Sequence, residues 1–129
     1  MARPSRRSMS PLEDTVMNVI WARGPCTADD VRKALWRKQP MKDSTVRTVL
    51  HRLEEKGYLA HDVSGRTYVY RQRVPARKAA TQAVRQIVDR FCEGSVEQLL
   101  VGMVDDRMLT VEQLEELARK IAQAEAEEG

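Results

Sequence analysis

The spacing of the apolar residues changes near position 58, and this change most constrains the fold. Before it, apolar residues recur every three or four positions in three segments, which predicts amphipathic helices. After it, two short runs from Tyr58 to Val63 and from Thr67 to Arg71 favour β-strands, and Ser64-Gly65-Arg66 between them predicts a hairpin. Beyond Val74-Pro75 the spacing is helical again. The sequence therefore predicts a mainly α-helical chain with one small β-hairpin.

Capping residues and helix breakers set the limits of the first three helices. Ser10 with Pro11 and Glu13 predicts a helix start, and Gly24-Pro25 ends that helix near Arg23. Thr27 is expected to cap a second short helix that ends around Gln39-Pro40. This helix is expected to bury Val31, Ala34 and Leu35. A third helix is expected from near Asp43 to Lys56, with Gly57 as its stop signal.

Three helices followed by a hairpin is the order of a winged helix-turn-helix, in which the hairpin is the wing. At about 100° per residue, Val46, Val49, Leu50 and Leu53 form one apolar stripe on the third helix. The opposite side carries small hydroxyls and cations, which suit close entry into a major groove and contacts to guanine or phosphate. The candidate DNA-binding residues are Lys42, Ser44, Thr45, Arg47, Thr48, His51 and Arg52, with Arg66 and Tyr68 on the hairpin.

The charge is divided unevenly along the chain, although the net charge is only +3. Residues 1–76 hold 15 Lys and Arg against 8 Asp and Glu, whereas residues 77–129 hold 7 against 11. A basic first part and an acidic second part indicate that only the first part meets a polyanion. Two other interpretations stay open: the charges serve only to solvate helices, or the winged helix binds a protein instead of DNA.

Residues 77–129 predict three further amphipathic helices. The second is capped by Ser95 with Gln98 and the third by Thr110 with Gln113, and Glu125 to Gly129 are expected to fray. About fifty residues are too few to enclose three apolar faces, so a homodimer is expected. The expected organisation is a disordered basic arm at 1–9, a DNA-binding domain at 10–76 and a helical dimerisation domain at 77–129. The candidate dimerisation residues are Val84, Ile87, Val88, Phe91, Leu99, Leu100, Met103, Leu114, Leu117 and Ile121.

Other classes of function lack support in the sequence. Cys26 and Cys92 are far apart and match no compact zinc pattern with His51 or His61, so they are interpreted as small buried hydrophobes and no metal or other cofactor is expected. No phosphate-binding glycine loop or catalytic constellation is present, which argues against an enzyme. Trp21 and Trp36 are interpreted as packing residues. Without an apolar run of about 18 residues, a reduced, cytoplasmic protein with no membrane insertion is expected.

Several segments together resemble the penicillinase repressor family, also called BlaI/MecI. They are VMNVIW at 16–21, STVRTVLHRLEEKGYL at 44–59 and GRTYVY at 65–70, followed by Phe91 and Gly94-Ser95, and the similarity spans roughly residues 10–122. The resemblance implies a dimeric repressor with an N-terminal winged helix and a C-terminal helical dimerisation domain. It also implies dyad-symmetric operator DNA in the promoter regions of resistance genes.

The resemblance further implies that repression ends by proteolysis, triggered by a membrane-bound sensor metalloprotease. Members of the family are cut at an Asn–Phe bond, and the equivalent stretch here is the region around Gly102-Met103, which lacks that pair. The same protease specificity therefore does not follow. Release by a small ligand in a cleft between the domains is the alternative.

Overall fold

A computed structural model describes residues 7–128 and divides the chain into two compact units, Met1–Ala83 and Val84–Gly129. Its elements follow the order that the sequence predicts for a mainly helical winged helix-turn-helix. They are α1 (Pro11–Arg23), β1 (Cys26–Thr27), α2 (Ala28–Ala34), α3 (Asp43–Glu55), β2 (Leu59–Ser64), β3 (Thr67–Gln72), α4 (Ala76–Phe91), α5 (Val96–Asp105) and α6 (Val111–Glu128). The predicted fold class is confirmed.

The helix starts are built as the capping residues predict. Ser10 Oγ accepts a hydrogen bond from the Glu13 amide at 3.2 Å, and Glu13 Oε1 accepts one from the Ser10 amide at 2.8 Å. Thr27 and Asp30 form the same reciprocal pair at the start of α2, with both distances 3.0 Å. These bonds satisfy amide groups that a helix cannot satisfy within itself. Gly24 then ends α1 with a φ of 87°, which a glycine adopts without strain.

The hairpin is confirmed, but it belongs to a three-stranded antiparallel sheet in the order β1-β3-β2. Cys26 pairs with Tyr70 and Thr27 with Val69, so β3 has a neighbour on each side. The sequence analysis missed β1 because two residues are too few to show an alternating pattern. At the hairpin turn, Gly65 has a φ of 64° and Ser64 pairs with Thr67. A glycine with positive φ at the first of two turn positions is the pattern of a type II′ turn.

The core of the structure lies within the unit Met1–Ala83, where α1, α2 and α3 pack together with the sheet. Val46, Val49, Leu50 and Leu53 are all buried, as the helical spacing predicts. The full set of core residues is Val16, Met17, Ile20, Cys26, Ala28, Val31, Leu35, Val46, Val49, Leu50, Leu53, Tyr58, Leu59, Tyr70, Val74 and Ala79.

Three expectations about α2 and its neighbourhood were wrong. The helix ends at Ala34, several residues before Gln39-Pro40, and Ala34 itself is only half-buried. Trp36 is not a packing residue, because 62% of its surface is exposed. The end of α2 explains this exposure, because Trp36 lies in the turn beyond the helix and does not belong to the apolar stripe of α2. Trp21 does pack against the core, and its indole Nε1 donates a hydrogen bond to the Val74 carbonyl at 2.9 Å.

The unit Val84–Gly129 buries far less. Helices α5 and α6 contain no buried residue, although Ser95 and Thr110 cap them as predicted through Gln98 and Gln113. Fraying was expected from Glu125 onward, but α6 continues to Glu128. Its last residues have the high helix propensity of Ala and Glu, which outweighs the lack of burial. Cys92 is half-buried, although it was expected to be buried. Cys26 is buried as expected, and its burial raises the pKa of its thiol.

Candidate nucleic-acid interface

Helix α3 separates its apolar and polar residues cleanly. The apolar stripe faces the core, and Ser44, Arg47, Thr48, His51 and Arg52 are exposed on the other side. Thr45 is half-buried at the flank, and Lys42 is exposed at the N-cap position. The predicted recognition residues of this helix therefore lie together on one accessible surface.

Several of these side chains are held along the helix itself. Thr48 Oγ1 donates a hydrogen bond to the Ser44 carbonyl at 2.9 Å, and His51 Nε2 lies 2.6 Å from Glu55 Oε1. Arg47 Nε donates to Asp43 Oδ2 at 2.8 Å, and this hydrogen bond raises the pKa of the Arg47 guanidinium. The pair is exposed to solvent, so it adds little to stability. Because the bond uses Nε, the two terminal nitrogens of Arg47 can donate to a base or a phosphate while Asp43 stays paired.

Asp43 is a residue of this surface that the sequence analysis did not weigh. A free carboxylate at this position would repel a phosphate, but the contact with Arg47 neutralises it. The spacing of four residues on a helix is the signal that could have identified the pair.

The wing carries the other two predicted residues. Arg66 is exposed at the hairpin turn, where its charge is accessible to a phosphate. Tyr68 is 48% exposed, and its ring stacks on His61 with 4.1 Å between centroids and 10° between planes. The stacking limits the rotation of Tyr68, so its hydroxyl is presented from a fixed ring.

A contact between α3 and the wing was not foreseen from the sequence. His61 Nδ1 on β2 lies 2.6 Å from Glu54 Oε2 on α3, and His61 also contacts the ring of Tyr70. Burial, followed by the nearby Glu54 carboxylate, raises the pKa of Tyr70. The contact fixes the strand that carries the wing turn against the helix that carries the predicted recognition residues. The register of the hairpin, in which His61 pairs with Tyr70, is the signal that could have suggested it.

The last residues of the predicted basic arm, including Arg7 and Ser8, are attached near the C-terminal end of α3. Lys56 Nζ donates to the Ser8 carbonyl at 2.9 Å and to Glu13 Oε1 at 2.6 Å, and Tyr58 donates its hydroxyl proton to the Arg7 carbonyl at 2.8 Å. Burial raises the pKa of Glu13, but the hydrogen bonds from Lys56 and Ser10 outweigh it and leave that pKa below its usual value. Arg3 and Arg6 of the arm lie outside the described residues.

The candidate dimerisation residues fall into three groups. Val84, Ile87, Phe91, Leu117 and Ile121 are exposed, Leu99, Leu100, Met103 and Leu114 are half-buried, and Val88 is fully buried. Val88 therefore has no accessible surface left for a partner. Between α5 and α6 lies an apolar groove of about 420 Å³ whose lining includes Leu100, Val104 and Leu114. Gly102 and Met103, the candidate cleavage region, lie inside α5 and are half-buried.

The described part of the chain offers little for other chemistry. Between residues 7 and 128, no three His, Cys, Asp or Glu side chains are grouped where they could share a metal ion. None of the helices in this range combines the length and apolar character that crossing a bilayer requires.

Three helices, a hairpin and an exposed polar face on the third helix define the winged-helix class of DNA-binding proteins. The comparisons agree and are more specific, because residues 9–123 match the penicillinase repressor family. The chain belongs to this family, as its sequence motifs predict. The family is one of DNA-binding transcriptional repressors, which also confirms that the chain is not an enzyme.

The similar proteins point in the same direction. The penicillinase repressor of Bacillus licheniformis is 28% identical over 109 residues, covering 84% of this chain and 85% of that protein. An uncharacterized 16.5 kDa protein of Latilactobacillus sakei is 30% identical over 95 residues, covering 74% of this chain and 65% of that protein. The solution structure of the DNA-binding domain of the repressor BlaI is 30% identical, with a TM-score of 0.51, and covers 60% of this chain and 93% of that domain.

Proposed function

We propose that this chain is a homodimeric repressor that binds dyad-symmetric operator DNA, with one α3 helix in the major groove of each half-site. The observation that carries the proposal is the exposed polar face of α3, where hydroxyl and cationic side chains lie opposite four buried apolar residues. Side chains of this type donate to guanine and phosphate and approach the bases closely. The names of its relatives favour genes of β-lactam resistance as targets, and binding to the chromosome implies a cytoplasmic protein.

Each part of the basic unit has its own role in this proposal. Ser44, Thr45, Arg47, Thr48 and His51 contact base edges, while Lys42, Arg52 and Arg66 contact phosphates. The contact between His61 and Glu54 fixes the wing relative to α3, so both reach the same duplex. Tyr68, stacked on His61, contacts the sugar-phosphate backbone beside Arg66.

The proposed dimer forms through the unit Val84–Gly129 and rests on its exposed apolar residues. Burying one Leu, Ile or Phe side chain contributes about 1.5–3 kcal/mol, so a symmetric interface containing Phe91, Leu117 and Ile121 gains enough to hold two chains together. A two-fold axis then presents two recognition helices to adjacent half-sites about 34 Å apart.

Release is proposed to follow cleavage in the region of Gly102-Met103 by a membrane-bound sensor metalloprotease. Because both residues lie within α5, the helix must open locally before a protease can bind an extended segment. Cleavage there removes α6, with Leu114, Leu117 and Ile121, from the dimer. A chain truncated after Val101 is therefore expected to bind a palindromic operator about 10² times more weakly than the intact chain. Equally tight binding by the truncated chain would overturn this mechanism.

The proposal is tested by titrating the full chain into labelled duplex from its own upstream region, at moderate salt, with a scrambled duplex as control. Specific binding to the upstream duplex with a stoichiometry of two chains per operator is expected. Equal affinity for both duplexes, or no binding to either, would contradict the proposal and favour a winged helix that binds a protein. Sedimentation of the free chain at micromolar concentration tests the dimer separately, and a monomer would contradict it.

A further inference from the structure

An exposed tryptophan lies in a cleft that neither the fold nor the proposed recognition helix explains. The cleft has a volume of about 460 Å³ and is lined by Trp36, Pro40 and Met41, together with Lys42 and Asp43 at the start of α3. Trp36 donates no side-chain hydrogen bond within residues 7–128, although 62% of its surface is exposed. Tryptophan is enriched at interfaces, because its ring can be covered by a partner while its N–H finds a hydrogen-bond acceptor.

The charges around the cleft favour an anionic occupant. The two carboxylates of its lining are neutralised, because Asp29 pairs with Arg32 at 2.9 Å and Asp43 pairs with Arg47 at 2.8 Å. Lys42 of the lining is exposed, as are Arg37 and Lys38, which follow Trp36 in the chain, and within the described part of the chain no carboxylate pairs with any of them. The surroundings of Trp36 are therefore positively charged in excess.

The position of the cleft identifies the anion. Lys42 and Asp43 belong both to its lining and to the start of α3, so the cleft is continuous with the proposed recognition surface. A helix with its side chains is about 10–12 Å wide and a major groove about 12 Å, so a helix inside the groove has sugar-phosphate strands directly at its sides. A cleft beside the start of α3 then meets one of these strands.

We propose that the Trp36 cleft is a second DNA contact, which holds the sugar-phosphate backbone beside the half-site that α3 reads. The indole ring packs on a deoxyribose, its Nε1–H donates to a phosphate oxygen, and Lys42 supplies the charge. This contact rests on the proposed function, because it exists only if α3 enters the groove. It acts on every sequence alike and therefore adds affinity without discrimination.

The salt dependence of DNA affinity distinguishes the Trp36 contact from the contacts of its charged neighbours. A neutral side chain releases no counterion, so its loss lowers affinity without changing the slope of log affinity against log salt. Removal of a Lys that neutralises a phosphate lowers the slope by about one unit. We therefore expect Trp36→Ala to weaken operator and scrambled duplex about tenfold each, the cost of losing one hydrogen bond to a charged group, with the slope unchanged.

The binding experiment uses the full chain and two matched variants. Lys42→Ala, at the exposed cation of the cleft lining, is expected to weaken both duplexes and to lower the salt slope by about one unit. Gln123→Ala truncates an exposed, uncharged side chain on the polar side of α6 and is expected to leave both affinities unchanged. Wild-type affinity for Trp36→Ala, or a loss confined to the operator, would overturn the proposal.

A fluorescence measurement separates failure of this contact from failure of DNA binding. Acrylamide, a neutral quencher that leaves the salt concentration unchanged, is titrated into the full chain and into Trp36→Phe, with and without saturating duplex. The difference between the two proteins reports Trp36, and its quenching is expected to fall when duplex binds. Unchanged quenching in a chain that demonstrably binds the duplex overturns the Trp36 contact but leaves the proposed function intact. Absence of duplex binding contradicts the proposed function itself.

Discussion

In the unit Met1–Ala83 the apolar stripes of the helices are covered by neighbouring elements, whereas α5 and α6 of the unit Val84–Gly129 contain no buried residue. The two units have similar helical patterning, with capped starts and apolar residues every three or four positions. They differ in whether the chain itself supplies a second surface: α1, α2 and the sheet close over α3, while Leu117 and Ile121 of α6 stay exposed. Amphipathic spacing therefore predicts which face of a helix is apolar, but not which molecule covers it.

The largest difference between the units is expected from truncation of one apolar side chain in each. Leu53→Ala leaves a cavity in a filled core and is expected to lower the free energy of unfolding by about 2–5 kcal/mol. Ile121→Ala removes a half-exposed side chain and is expected to change the unfolding of the isolated chain by less than about 0.5 kcal/mol. Urea unfolding at low protein concentration, where a dimer dissociates, measures both. Equal losses would remove the distinction between the units.

A charge on α6 tests what covers its apolar face. Leu117→Asp places a carboxylate in the proposed dimer interface, where burial without a partner costs several kcal/mol, and is expected to weaken operator binding about 10² times. Gln123→Asp adds the same charge on the opposite side of α6 and is expected to leave dimer and affinity unchanged. Sedimentation and operator titration measure the two effects. An unaffected dimer in Leu117→Asp would show that another surface joins the chains.

The buried ion pair of the first unit makes its stability depend on pH. Glu13 has a lowered pKa in the folded chain, so the stability it contributes is present above its unfolded value and is lost as the pH falls through the folded value. Glu13→Gln is expected to cost about 1.5–3 kcal/mol at pH 7, the range for a hydrogen bond to a charged group, and to flatten the acid dependence. Thermal unfolding followed from pH 7 to acid measures the difference. Parallel pH curves for the two proteins would contradict this role of Glu13.

The exposed Arg47–Asp43 pair is the control for the Glu13 experiment. Asp43→Asn removes a carboxylate that is exposed to solvent on α3, so it is expected to leave the free energy of unfolding at pH 7 nearly unchanged.

Substitutions on α3 and on the wing divide the basic unit into specific and general DNA contacts. Thr48→Ala or Arg47→Ala is expected to reduce discrimination between operator and scrambled duplex by about 1–3 kcal/mol. Arg66→Ala is expected to weaken both duplexes alike and to lower the salt slope by about one unit. Titrations at several salt concentrations measure both quantities. Loss of specificity in Arg66→Ala, with none in Thr48→Ala, would mean that the wing rather than α3 reads the bases.

The sequence predicted the parts of the fold that depend on local signals. Ser10, Thr27 and Thr110 each cap a helix through a residue three positions later, and Gly57 and Gly65 mark turns by their conformational freedom. The four-residue stripe of α3 was also predictable, because helical spacing fixes which side chains share a face. These features predicted the order of the elements and the polar face of the recognition helix.

The sequence did not predict the parts that depend on contacts between distant residues. The pairing of Cys26 with Tyr70, the contact of His61 with Glu54, and the bond from Lys56 to the Ser8 carbonyl each join elements far apart in the chain. Trp36 was misjudged for a related reason, because α2 stops at Ala34 and the helical spacing no longer applies beyond it. The residue pattern within one element carries no information about its contacts with distant elements or about where the element ends.

The two-residue strand β1 also has a consequence for how the molecule folds. Its pairing with β3 closes a loop of about forty residues that contains α2, α3 and β2, and closing a loop of this length has an entropic cost of several kcal/mol. The hydrogen bonds between β1 and β3 therefore form only after α2 and α3 have packed together. We expect the amides where β1 and β3 pair to exchange with solvent at the rate of global unfolding, and those near Gly65 to exchange much faster.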